Sequence, residues 1–134
     1  MNLIPVRSNC AAHVNLLYDL LAERKPHESI SHKVMPTRAE HVLFVTGNPY
    51  WSWYILTERG KRVGAIYLTW HKEVGIGILR AHQRKGYAEQ ALKMLMRKHP
   101  GRLLANINPK NKASIALFRK LGFTEPLQIT MERA

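Results

Sequence analysis

The chain has 134 residues, 46% of them hydrophobic and 22% charged, which is one domain's length with enough apolar material for a core. That balance argues against a disordered chain and against two domains, so a single domain over residues 1–134 is expected. The net charge of +12 is uneven, with nine Lys/Arg against six Asp/Glu in residues 1–79 and twelve against three in residues 80–134. Such a basic half points to a polyanionic partner, either nucleic acid or a small ligand rich in phosphate.

Asn2–Arg7 reads as a short strand. Ser8 or Asn9 is placed to cap a helix running to about Arg24, with Val14, Leu17, Tyr18 and Leu21 on one stripe, and Pro26 ends it. A polar stretch, His27–Pro36, follows. Thr37 and Glu40 have capping-box spacing and open a short helix through Val42–Val45, stopped at Gly47-Asn48-Pro49. Tyr50–Thr57, rich in Trp, Tyr and Ile, predicts a strand. Glu58–Lys61 turns it into a second strand, Val63–Thr69. Glu73–Leu79 is a third, and its Gly75 and Gly77 suggest close approach by a ligand or another backbone. A basic loop, Arg80–Gly86, leads into a helix from Tyr87 to about Lys98 with a core stripe of Ala88, Ala91, Leu92, Leu95 and Met96. Leu103–Ile107 predicts a buried strand, Lys112–Leu121 a helix stopped by Gly122, and Phe123 with Gln128–Glu132 a last strand or two. The order β-α-α-β-β-β-α-β-α-β predicts an α+β domain around one mixed sheet.

No apolar run approaches the roughly 20 residues that span a bilayer. The N-terminal apolar residues are interrupted by Arg7, Asn9, His13, Asn15 and Asp19, unlike a signal peptide, so a soluble cytoplasmic protein is expected. One thiol, Cys10, builds neither a disulfide framework nor a zinc site and reads as a small apolar residue. The histidines lack metal-ligand spacing, so no metal is expected.

Gln83-Arg84-Lys85-Gly86-Tyr87-Ala88 stands between a strand and a helix. A helix start leaves N–H groups unpaired and carries the positive end of the dipole. Gly86 permits close backbone approach, Ala88 leaves room, and Arg84 and Lys85 add charge, parts that suit a pyrophosphate. Asn111-Lys112-Ala113-Ser114-Ile115-Ala116-Leu117-Phe118-Arg119-Lys120-Leu121-Gly122-Phe123 begins 28 residues after Gln83.

Together these segments resemble the acetyl-CoA signature of the GNAT superfamily of N-acetyltransferases. The first is similar to its Q/R-x-x-G-x-G/A loop and the second to its N-x-x-A/S-x-x-L-Y/F-x-x-x-G-F helix. The likeness in order and spacing runs from about Tyr54 to Phe123. It implies a three-layer fold with a mixed, mostly antiparallel sheet flanked by about four helices, and acetyl-CoA or CoA as cosubstrate. It implies that the amides of Arg84–Ala88 hold the pyrophosphate, that Ile78 and Leu79 pair with the pantetheine arm where the strand splays from Leu104–Ile107, and that Gln83, Asn111, Ser114 and Phe118 line the cofactor. Asn111 equally reads as a plain helix cap.

Acetyl transfer needs an amine freed of its proton, a donor for the developing oxyanion and a proton for the leaving thiolate. The resemblance puts the oxyanion donor at a strand amide near Leu79. It puts the acid at a tyrosine where this chain has Phe118, which donates no proton. Tyr54, Tyr67 and Tyr87 offer hydroxyls that sequence does not place. Glu73 is the expected general base, and His71, two residues earlier on an extended strand, would share its face. His82 lies in the basic loop and is read as facing solvent or phosphate. The expected acceptor is a primary amine of a small molecule, nucleotide sugar or protein, walled by His27–Pro36 and the Trp-rich strand. The alternatives are a nucleic-acid-directed acyltransferase or basic nucleic-acid-binding module, and an acyl-CoA binder that has lost catalysis. Monomer and homodimer are both compatible with the sequence.

Overall fold

The computed structural model describes residues 1–24, 34–124, 126 and 131–133. The chain runs β1 (Asn2–Pro5), α1 (Ala11–Ala22), α2 (Arg38–Thr46), β2 (Ser52–Glu58), β3 (Lys61–Leu68), β4 (Glu73–Ile78), α3 (Tyr87–Lys98), β5 (Leu104–Ala105) and α4 (Lys112–Lys120), with a 3-10 turn at Arg80–His82. Gln128–Thr130 of the expected last strand and most of the His27–Pro36 stretch lie outside the described residues, while Met131 and Glu132 are in no strand and Phe123 follows α4 without joining one. Among the described residues no helix is long and apolar enough to cross a membrane.

Five strands form one sheet in chain order, antiparallel from β1 to β4 and parallel between β4 and β5. The β2–β3 hairpin closes on Arg59 and Gly60, both left-handed with φ of 52° and 78°, the backbone a two-residue hairpin turn requires. The parallel step needs a crossover, and α3 supplies it. Strand alternation then sorts the side chains into two layers. One face buries Ile55 and Ala65 against Val14, Leu16 and Leu17 of α1 and Val45 of α2. The other buries Leu56, Ile66, Leu68 and Val74 against Ala91, Leu92 and Leu95 of α3 and Phe118 of α4. The result is the three-layer mixed-sheet architecture expected, with four helices among the described residues.

The helix ends show how local chemistry decided boundaries. The capping box on α2 is complete: Glu40 N–H donates to Thr37 Oγ1 and Thr37 N–H to Glu40 Oε1. α4 ends in a Schellman motif. Phe123 N–H reaches Phe118 O, Gly122 N–H reaches Arg119 O, and Gly122 takes φ +98°. The Phe118 and Phe123 rings meet edge to face at 5.0 Å, the hydrophobic contact that accompanies this motif. The start of α1 differs from expectation. Cys10, without a side-chain cap, replaces Ser8 or Asn9, and the helix begins at Ala11. His13 Nδ1 instead accepts the Arg7 N–H at 3.0 Å, satisfying the chain just before the helix.

That bond requires His13 to be neutral. Burial first, then the charges of Arg62 and Arg7, lowers its pKa. His99 is lowered too, by burial and then Lys98. A histidine whose folded pKa is depressed contributes stability that is complete above its unfolded pKa of about 6.5 and is lost as pH falls towards the folded value. Urea midpoints are therefore expected to drop between pH 7.5 and 5.5 as these imidazoles are forced to protonate. The drop should be smaller in His13→Gln, and an identical pH slope in that variant would remove His13 from the account.

Candidate active site

β4 leaves Lys72 between two neighbours. Its odd-numbered residues bond to β3, bracketed by Thr69 N–H to Glu73 O and Leu79 N–H to Val63 O, both 2.9 Å. In an antiparallel ladder the alternate residues turn their main-chain groups the other way. On that side β5 pairs only at Glu73 with Leu104 and Val74 with Ala105. Beyond Val74 the two strands splay, and the Ile76 and Ile78 amides face the gap. The expected splay at the Ile78 end of β4 is therefore present. The Leu79 amide, however, is committed to Val63, so the strand amides open to a ligand are those of Ile76 and Ile78.

At the open end of the gap lies the basic loop. Arg84 and Gly86 are left-handed, with φ of 63° and 78°, and Gly86 stands at the N-cap of α3. This alternation turns successive N–H groups inward, the geometry of an anion-binding nest. The first helical bond is Gln90 N–H to Gly86 O, and the N–H groups of Arg84, Lys85, Gly86, Tyr87, Ala88 and Glu89 have no partner among the described residues. Arg84 and Lys85 are exposed, while Tyr87 and Ala88 are half-buried. Glu89 carries the one negative charge in the first turn of α3, and Lys120 sits 2.6 Å and Lys93 3.8 Å from its carboxylate. The hydrogen bond from Lys120 holds that carboxyl below its ordinary range, and the pairing leaves the helix start electropositive. The loop is braced rather than floppy. Gln83 Nε2 donates to Ile78 O at 3.0 Å, and Arg80 donates from its backbone and guanidinium to Glu23 at the end of α1.

The remaining expected cofactor residues divide. Asn111 is the N-cap of α4, its Oδ1 accepting Ser114 N–H at 3.2 Å. The plain-cap reading thus holds for its oxygen, and its amide NH2 stays unengaged among the described residues. Ser114 is half-buried one turn into the helix. Phe118 is only 4% exposed and belongs to the core. Its ring is spent on the Schellman contact and the sheet, so it presents little surface to a ligand.

At the closed end of the gap, Glu73 opens β4. Its N–H donates to Thr69 Oγ1 at 3.0 Å, and its carboxylate accepts from Asn106 Nδ2 and, at 3.4 Å, from Thr69 Oγ1. The carboxylate is thus fixed across β4 and β5 just before they separate. His71 is not on an extended strand: Trp70–Lys72 form a turn, with Lys72 left-handed at φ 64°, and His71 is exposed. The turn breaks the alternation that would have aligned it with Glu73. His82, in the 3-10 turn, is half-buried.

The strand glycines have specific partners. A Cβ on Gly75 would lie 1.9 Å from the Tyr67 ring and 2.3 Å from its hydroxyl, so Tyr67 lies flat on β4. The close approach expected at Gly75 is made by this side chain. Tyr67 stacks on Tyr50 at 3.8 Å and 2°, and Trp53 meets Tyr50 edge-on at 4.8 Å. Burial, reinforced by Tyr67 and opposed by Arg24, keeps the Tyr50 phenol protonated far above its ordinary range. The Tyr54 hydroxyl is bonded to His99 Nε2 at 3.0 Å, away from the gap. A cleft of about 400 Å³ is lined by Pro5, Val6, Val45, Tyr50, Trp51 and Trp53 among others. It opens beside the aromatic cluster rather than at the anion nest. The Trp-rich strand therefore both packs the sheet and lines a cleft.

Compared with known proteins, residues 6–124 match the acetyltransferase (GNAT) domain family. No curated protein sequence gives a significant match. Among solved structures, the chain is similar to yncA from Salmonella typhimurium, solved with its cofactor acetyl-CoA (20% identity, 91% of this chain and 78% of that one, TM-score 0.67). It is also similar to an acetyltransferase from Thermus thermophilus (21% identity, 90% and 84%, TM-score 0.70). A chimeric spermidine N-acetyltransferase from Vibrio cholerae resembles it as well (15% identity, 94% and 83%, TM-score 0.74). At these identities the likenesses speak for the fold, while the family match over nearly the whole chain speaks for lineage: the chain belongs to the GNAT acetyltransferase family, acyltransferases that use acetyl-CoA as cosubstrate.

Proposed function

We propose that the chain transfers an acetyl group from acetyl-CoA to a primary amine. The observation that carries this reading is the run of six unpaired amides, Arg84–Glu89, at the mouth of the gap between β4 and β5. The residues present suit the cosubstrate. The amide nest with Arg84 and Lys85 matches a pyrophosphate, and the free Ile76 and Ile78 edge matches an amide-bearing arm. Acetyl-CoA supplies an activated thioester carbonyl, and the other tasks belong to the protein. The Ile76 or Ile78 N–H donates to the carbonyl oxygen as charge develops. Glu73, with Thr69 and Asn106 holding its carboxylate, takes the proton from the acceptor amine directly or through one water. Phe118 supplies no proton, and the role of acid towards the leaving thiolate is assigned to the Tyr67 hydroxyl because it lies on Gly75 of β4.

The acceptor is assigned to the face that carries Glu73, Thr69 and Tyr67, because the base lies there. An amine on a small molecule or a protein terminus suits that description. Calorimetric titration of acetyl-CoA and CoA, with ATP as control, tests the cosubstrate half. Saturable binding of both CoA species with weak ATP binding is expected, and absence of binding to cofactor-free protein would sink the reading. The catalytic half is tested by Glu73→Gln, which keeps the shape and removes the base. Turnover on a responsive amine should fall by about 10² to 10⁴-fold with CoA affinity unchanged. Unaltered turnover would move the base elsewhere.

A further inference from the structure

A second cleft, about 260 Å³, opens at the C-terminal end of α3 and is lined by Trp51, Lys72, Lys98, His99 and Arg102 with apolar neighbours. α3 has twelve residues, so at about 1.5 Å per residue this cleft lies roughly 18 Å along the helix from the amide nest. Its three cations come from three different segments: the turn before β4, the last turn of α3 and the loop before β5. None has an ion pair among the described residues. The acid next to them in sequence, Glu73, is turned towards Thr69 and Asn106. A cation in the last turn of a helix answers the helix dipole, which accounts for Lys98 and not for Lys72 or Arg102. Lys72 is held left-handed by its N–H to Thr69 O at 3.0 Å and by its carbonyl accepting Leu104 N–H at 2.9 Å. The Lys72 backbone is thus fixed from both sides beside the cleft, and Lys72 is one of the residues that line it.

Beside the cations stands an unspent aromatic face. Trp51 is 47% exposed, and its indole leans on the His99 ring at 5.6 Å, itself pinned by the Tyr54 hydroxyl. Converging cations beside an open indole are the chemistry of a nucleotide, with charge for phosphate and a stacking plane for the base. The volume is at the small end of ligand clefts, room for one nucleotide. We infer that this cleft binds a phosphate-bearing nucleotide, its phosphate among Lys72, Lys98 and Arg102 and its base against Trp51. The nucleotide is either free or the end of a single strand. The site is independent of the acetyl-CoA seat and does not rest on that assignment.

The test uses the CoA-free protein and follows tryptophan fluorescence, with the same titration in Gly86→Glu to remove any binding at the nest. Uridine 5′-monophosphate should saturate the signal and bind at least about tenfold more tightly than uridine or inorganic phosphate, the equivalent of one good contact. Arg102→Glu and Trp51→Ala should each weaken it about tenfold or more while CoA affinity stays put. A short 5′-phosphorylated oligouridylate that binds more tightly, with steep salt dependence, identifies the source as a strand; equal affinity identifies it as a free nucleotide. Phosphate binding as well as the nucleotide, an acidic peptide (polyglutamate) binding as tightly, or indifference to Arg102→Glu would each overturn the inference.

Discussion

Gly86→Glu should abolish CoA binding at concentrations where the parent protein is saturated, an affinity loss of about 100-fold or more, close to 2.7 kcal/mol. The loss has two sources that can be separated. Gly86 is left-handed at φ 78°, and a Cβ there meets nothing within 4 Å, so the side chain itself fits in open space. The conformational cost to a non-glycine residue is about 1–2 kcal/mol, which a folded domain tolerates. The carboxylate, however, stands at the N-cap of α3 among amides that have no partner among the described residues, where it both occupies the positive end of the helix and repels phosphate. Gly86→Ala carries the backbone strain without the charge and should retain CoA binding within about tenfold by calorimetry. If Gly86→Glu bound CoA like the parent protein, the loop would not be the pyrophosphate seat.

The largest stability effect is expected at Gly64. A Cβ there would lie 2.2 Å from the Gly77 carbonyl oxygen and about 3 Å from the Ile78 backbone and side chain. Backbone of the neighbouring strand cannot rotate aside as a side chain does, so β3 and β4 must separate locally. Gly64→Ala should cost about 3 kcal/mol in urea denaturation, the upper part of the overpacking range. It should also weaken CoA binding, since β4 forms one wall of the gap. Gly77→Ala is the control: its Cβ meets only Leu20 side-chain atoms, at 3.4 and 3.9 Å, and should stay within about 1 kcal/mol. Equal effects at the two positions would mean that β3 and β4 do not pair in the register described.

What could be read in advance was chemistry confined to a few neighbouring residues. The Thr37 and Glu40 box, the glycine stop after α4 and the loop from Gln83 to Ala88 are local devices, and each appears where the sequence put it. The α3 boundaries, Tyr87 to Lys98, were equally legible, because an amphipathic stripe and the Pro100-Gly101 break coincide. What escaped was set by partners distant in the chain. Nothing near Ser8 announces that His13 takes the Arg7 amide and shifts the start of α1. Alternation along β4 can be counted, but which amides face the gap depends on the ladder with β3, and that ladder withdraws Leu79 and leaves Ile76 and Ile78. His71 reads as a strand neighbour of Glu73 until the left-handed Lys72 breaks the strand. Gly75 reads as a ligand approach until Tyr67, eight residues upstream, is seen lying on it. The cleft around Lys72, Lys98 and Arg102 assembles from three separate segments and has no motif at all.

The order of strands across the sheet repeats their order along the chain. As the polypeptide emerges from synthesis, β2, β3 and β4 can therefore pair in turn, each with the one just made, through short connections. β1 alone must wait, because its partner lies beyond α1 and α2, with Pro5 opposite Tyr54. Closing that loop is the one slow entropic step in building the antiparallel part of the sheet. Until β2 appears, β1 has no strand to dock on, and the contact between Met1 N and Glu58 is a seal set only after the hairpin has turned.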